Sequence, residues 1–169
     1  MKDLFDRYQA ANDSLVKTAG SFTEEQFFKR PEEGKWSAAE NMEHLILATK
    51  PMIGLFLKPE VIVERWGTTD KPSRSYDEIA NAYLKATNGA GKAPERLVPQ
   101  ATEQTQAVQL DKFKQVSADF LNALGSLNET QMLTYQIPHP FIGNLTVKEF
   151  MHFMTFHVDH HHKAIKNIL

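Results

Sequence analysis

The fold turns on "VKEFMHFMTFHVDHHHKAIKNI", residues 147–168. At about 100° per residue the stretch reads as one amphipathic helix. With His157 set at zero, Phe150 and Ile168 fall near 20°, Met154 near 60°, Val147 and Ile165 near 80° and Phe153 near −40°, so the apolar stripe centres at roughly 40°. His157 and His161 lie inside that stripe, His160 and His162 flank it, and His152 falls on the polar side with Lys148, Asp159 and Lys166. A purification tag has no reason to align two imidazoles with a core stripe, and this cluster continues as helix through "KAIKNI".

Working outward, the same period recurs. Leu4, Phe5, Tyr8, Ala11 and Leu15 predict a long helix over 2–19, with Gly20 suited to the position past its end. Four Ser/Thr-x-x-Glu pairs read as capping boxes: Ser21/Glu24, Ser37/Glu40, Ser75/Glu78 and Thr146/Glu149. They open a short helix at 22–29, a long one from Ser37 to about 57, a medium one at 76–87 and the last long one at 147–168. Pro51 should kink or break the second long helix, because proline lacks a donor and crowds the preceding turn. A third long helix is expected over about 102–125, with Leu110, Phe113, Phe120, Leu121 and Leu124 on one face. Residues 58–74 and "NETQMLTYQIPHPFIGN" (128–144) read as irregular connections, and strand signals are weak throughout. The expected fold class is all-α: a four-helix bundle over a single domain, 1–169, with short extra helices in the connections. The long connection between the second and third long helices argues against a simple up-down-up-down order.

The 169 residues suffice for one continuous core, with 41% hydrophobic and 24% charged side chains. A net charge of −2 offers no basic stripe for nucleic acid or an anionic membrane. No apolar run is long enough to span a bilayer. The start, "MKDLFDRYQA", carries Asp3 and Asp6 and no apolar centre, so it does not read as a signal peptide, and a cytoplasmic protein is expected. The absence of cysteine excludes disulfides, thiolate metal sites and a Cys nucleophile.

His157 and His161 are four residues apart on one helix face, close enough to hold one metal ion. Buried imidazoles can equally be satisfied by backbone carbonyls or water. A bundle-core site needs a third ligand from a facing helix. His44 is the candidate, sharing an inward face with Ala48, Pro51 and Leu55; His139 and the flanking histidines compete. Three imidazoles with an open fourth position would match catalytic rather than structural metal sites. A di-iron reading needs two Glu-x-x-His pairs. Glu149/His152 supplies one, off the core stripe, and there is no second, since residue 41 is Asn.

The segments "WSAAENMEHL" (36–45) and "HVDHH" (157–161), the latter preceded by "GNLTVKEFMHFMTF", resemble the DinB-like superfamily, which includes YfiT-type metal-dependent hydrolases or thiol transferases. The resemblance spans the chain by length and helix order, but its specific content is those two segments. It implies His44, His157 and His161 as ligands of a divalent ion, nickel or zinc, in a bundle of up-down-down-up order that is often a homodimer. The Gln usual near the end of the last motif is not evident; "HKAIKN" stands there instead.

Two functions follow as expectations. One is a metal-dependent enzyme acting on a small molecule, either a hydrolase or a transferase using a low-molecular-weight thiol such as bacillithiol or mycothiol. That thiol would come from solution, since the chain has none. The other is a non-catalytic, metal-stabilised dimeric binding module with a stress-linked role. A bundle with a triad that binds no ion is the third possibility. Glu40 and Glu43 could serve as proton acceptors near His44, but cap and surface roles are commoner for such residues. Trp36 and Trp66 could line a pocket, although core or rim positions are commoner.

Overall fold

The structure, a computed structural model, describes residues 1–89, 91–100 and 104–168. Four long helices carry it: α1 (Lys2–Ala19), α3 (Ala38–Phe56), α6 (Gln106–Gly125) and α8 (Val147–Lys166). Shorter helices occupy the connections: α2 (Glu24–Phe28), α4 (Pro59–Trp66), α5 (Tyr76–Thr87) and α7 (Glu129–Thr134). A two-stranded antiparallel ribbon, β1 (Gln136–His139) and β2 (Gly143–Thr146), leads into α8.

Cross-helix contacts fix the direction of each long helix. Asn12 of α1 accepts from Ser117 of α6, and Ala19 at the end of α1 accepts from Gln106 at the start of α6, so these two run antiparallel. Gln109 of α6 donates to the Ala39 carbonyl at the start of α3, while Phe120 packs 5.8 Å from Phe56 at the end of α3, so α3 and α6 run parallel. Phe56 also packs 6.1 Å from Phe150 at the start of α8, and His44 in the first half of α3 meets His157 in the second half of α8, so α3 and α8 are antiparallel. The order is up-down-down-up, as the resemblance implied. Phe56 and Phe120 are fully buried at the centre, and burial of each such side chain contributes on the order of 2–3 kcal/mol.

Three capping boxes form as the sequence indicates, at Ser37/Glu40, Ser75/Glu78 and Thr146/Glu149. The fourth does not. Thr23 caps α2, with Gln26 completing the box, and the Ser21 hydroxyl donates back to the Thr18 carbonyl instead. Pro51 sits inside α3 without ending it. Residues 58–74, expected to be irregular, contain α4, which opens with Pro59 in its first turn, where the missing donor costs nothing. The 128–144 connection is also more ordered than expected. Asn128 and Gln131 form a capping box for α7, and the ribbon follows. Helix α6 starts at Gln106, capped by Thr105; the expected start at 102 lies outside the described residues.

Two side chains read as lying off the core stripe of the last helix are covered. Glu149 is buried, and His152 is half-buried beside Tyr76, because α5 and the loop before it pack over that side of α8. Among the described residues no helix is long and apolar enough to cross a membrane.

Candidate metal centre

Three buried histidines meet between the first half of α3 and the second half of α8. His44 Nε2 lies 3.0 Å from His157 Nε2, and His161 Nε2 lies 3.1 Å from the same atom. One ring nitrogen from each of the three falls within 4.8 Å of the others. The spacing of four between His157 and His161 stacks them on one helix face, and the antiparallel approach of α3 brings His44 opposite.

The outer ring nitrogens decide which way the lone pairs point. His44 Nδ1 donates to the Leu97 carbonyl at 2.8 Å, so its Nε2 carries no proton in the neutral ring. The Asn41 amide nitrogen donates to the carbonyls of Ser37 (2.8 Å) and Trp36 (3.3 Å). Its oxygen must then face His161, where it accepts from Nδ1 at 2.7 Å. His161 Nε2 is therefore bare as well. His157 Nε2 has bare nitrogens on both sides, and a single proton could serve only one of them. Lone pairs crowded together in an apolar interior are costly unless a shared cation satisfies them. Imidazole nitrogens around a tetrahedral zinc ion would stand about 3.3 Å apart, close to the two separations from His157 Nε2. The donor set therefore fits a divalent ion. His157 Nδ1 is the exception to the pattern: it is buried and has no hydrogen-bond partner among the described residues.

Burial sets the electrostatics. It pushes His157 and His161 well below the ordinary imidazole pKa, and the neighbouring histidines push the same way. Burial also lowers His44, against the opposing hydrogen bond to Leu97. All three are held neutral, the form in which imidazole binds a metal. Aromatic rings close the site: Trp36 packs 5.0 Å from His44 and stacks at 6.1 Å on His161, and Phe153 stacks at 5.3 Å on His157.

The triad opens into a cavity of about 230 Å³, walled by Pro51, Met52, Phe141, Phe150, Phe153 and Met154 among others. His139 and His160 line the cavity without joining the triad. His162 turns away to Thr18, 2.8 Å distant. Trp36 lines the cavity, whereas Trp66 packs against the core. The two glutamates near His44 are engaged elsewhere. Glu40 pairs with Arg30 and caps the Ser37 amide, and Glu43 pairs with Lys112 at 3.0 Å. The Glu149/His152 pair is also separate, since Glu149 is bound by Arg74 and by the backbone of Thr146.

Sequence reasoning missed Asn41 and the Leu97 carbonyl. Asn41 had a signal: an amide on the inward side of α3, three residues before His44. The carbonyl had none, because it lies in a short 3-10 turn (Glu95–Leu97) more than fifty residues further along the chain.

The fold has counterparts among solved structures. YfiT from Bacillus subtilis, described as a probable metal-dependent hydrolase with an unusual four-helix bundle topology, superposes with a TM-score of 0.60 at 15% identity, over 99% of this chain and 84% of that one. TT2238, described as a four-helix bundle protein, gives a TM-score of 0.56 at 15% identity, over 98% of each chain. No curated protein matches the sequence. At such identities the likeness is one of fold. The sequence profile of the DinB superfamily, however, matches residues 7–165, nearly the whole chain, and this chain therefore belongs to the DinB superfamily.

Proposed function

We propose that the chain binds a divalent ion, zinc or nickel, through His44, His157 and His161, and that the site acts on a small molecule held in the adjoining cavity. The observation that carries this reading is the pair of outer hydrogen bonds, from His44 to Leu97 and from His161 to Asn41. They aim two bare Nε2 atoms at the third imidazole. Three neutral nitrogen ligands leave further coordination positions free, as catalytic zinc sites do. Such an ion supplies Lewis acidity and makes a water or a thiol a better nucleophile at neutral pH. The chain's own residues would hold the ion, keep its ligands in one tautomer and shield it from bulk water with Trp36 and Phe153.

The reaction is hydrolysis or thiol transfer. YfiT, a structural counterpart, is described as a probable metal-dependent hydrolase, which supports the first. The absence of cysteine means that a transfer would use a thiol from solution. No Asp or Glu lines the cavity among the described residues, and His139 Nδ1 is already taken by the Phe141 amide, so a hydrolytic proton acceptor would have to be His160. A screen of ester and amide substrates beside electrophiles with added thiols, run on zinc- and nickel-loaded protein, tests the reading. Turnover that disappears with a chelator and returns with metal supports it. Equal rates with and without metal would contradict it.

A further inference from the structure

The cavity beside the triad has an unbalanced lining. Its walls are largely apolar and aromatic. Four of its polar side chains offer protons. Lys92 and Arg96 stand at the exposed edge, and neither forms an ion pair or a side-chain hydrogen bond among the described residues. Tyr83 is half-buried, and its hydroxyl has no hydrogen-bond partner among them either. His139 Nδ1 accepts from the Phe141 amide at 3.2 Å, so the ring's single proton sits on Nε2 and makes that atom a donor. Burial lowers the His139 pKa to about 4 and raises that of Tyr83, so both stay neutral and protonated at neutral pH. His160 can act in either sense, and no carboxylate lines the cavity among the described residues.

These groups belong to one surface. Tyr83 packs 5.9 Å from His139 and 5.5 Å from Phe153. A Cβ at Gly91 would lie 2.9 Å from the Tyr83 hydroxyl, which places the segment carrying Lys92 close against that side chain. Cations and neutral donors without balancing acceptors leave an unmet demand for negative charge, and the apolar wall demands a hydrocarbon body.

We propose that the cavity binds a small molecule with an apolar body and an anionic group, a carboxylate in the simplest case. The anion is received by Lys92 and Arg96 at the edge and by the Tyr83 and His139 donors within. This rests on the proposed metal site only for what happens next. Recognition of the anion is a property of the four side chains and persists without metal.

That independence sets the experiment. Binding of octanoate, 1-octanol and octylamine to the metal-free full-length protein is measured by calorimetry. Octanoate should bind at least tenfold more tightly than 1-octanol, and octylamine most weakly. The double variant K92A/R96A, exposed at both positions and so expected to fold, should lose about tenfold in octanoate affinity and leave 1-octanol unchanged. Tyr83→Phe, which keeps the ring and removes the hydroxyl, should lose a few-fold for octanoate alone. Equal affinities for the three ligands, no binding of octanoate, or octanoate affinity untouched in K92A/R96A would each overturn the proposal. None of these outcomes bears on the triad. Metal content is read separately, so failure of the anion site and failure of the metal site can be told apart.

Discussion

The Asn41 carboxamide oxygen lies 2.7 Å from His161 Nδ1 across the α3–α8 interface, with the amide nitrogen anchored to the carbonyls of Ser37 and Trp36. A side chain that is not itself a ligand thus decides where the His161 proton sits. Asn41→Leu should weaken metal binding by about 10- to 100-fold, the usual effect of removing the partner that orients a ligating histidine. Competition against a chromogenic chelator measures this. Unchanged affinity in the variant would show that the tautomer needs no anchoring.

Glu149 is one carboxylate that makes the fold sensitive to acid. Burial acts to raise its pKa, but hydrogen bonds from the Arg74 side chain and backbone and from the Thr146 amide outweigh it, and the net shift is downward from 4.5. A carboxyl whose folded value lies below its unfolded value stabilises the fold above the unfolded value, and that contribution is lost as pH falls through the folded one. Wild type should therefore lose melting temperature progressively below about pH 4.5, and Glu149→Gln should lose less over the same range. At pH 7 Arg74→Ala should cost roughly 1–3 kcal/mol, discounted for the partial exposure of Arg74. Parallel melting-temperature profiles for wild type and E149Q would rule this out.

Phe120 is fully buried between Tyr8, at 5.3 Å, and Phe56, at 5.8 Å, so it joins three of the four long helices. Phe120→Ala should cost about 3–5 kcal/mol in urea unfolding, through lost burial and the cavity left behind. The folded variant should hold metal as wild type does, because none of these rings touches the triad. A loss under 1 kcal/mol would mean that the centre of the bundle is not packed as described.

Gly91 lets the chain pass close over Tyr83. An added Cβ would stand 2.9 Å from the Tyr83 hydroxyl and 3.0 Å from the Thr87 methyl, so the chain or the ring must move. Gly91→Ala should weaken octanoate binding about 3- to 10-fold and leave metal content unchanged. Wild-type affinity in this variant would place the ligand away from Tyr83.

The helical frame was legible because its signals are local. Apolar periodicity in α1, α6 and α8 and the three capping boxes lie within a few residues of where they act. The inward direction of His44, His157 and His161 followed from the same periodicity. Long-range partners were not legible. Glu149 looked like a cap on a polar face, and only the fold shows Arg74 laid across it. The ribbon was hidden because Pro138 and Pro140 argue against strand, yet Pro138 sits in a two-stranded ribbon, opposite Asn144, where a missing donor is tolerated. Helix α4 was hidden by Pro59, which marks its first turn rather than a break. The up-down-down-up order came from the resemblance, since periodicity gives helices but no directions.

Whether His44, His157 and His161 share an ion is decided by the metal content of the protein purified without a histidine tag, measured by elemental analysis beside His44→Ala, His157→Ala and His161→Ala. Wild type should carry a stoichiometric divalent ion and every variant should lose most of it, with helical circular dichroism retained. The same metal content in all four proteins, or none in wild type after incubation with zinc or nickel, would contradict a shared ion.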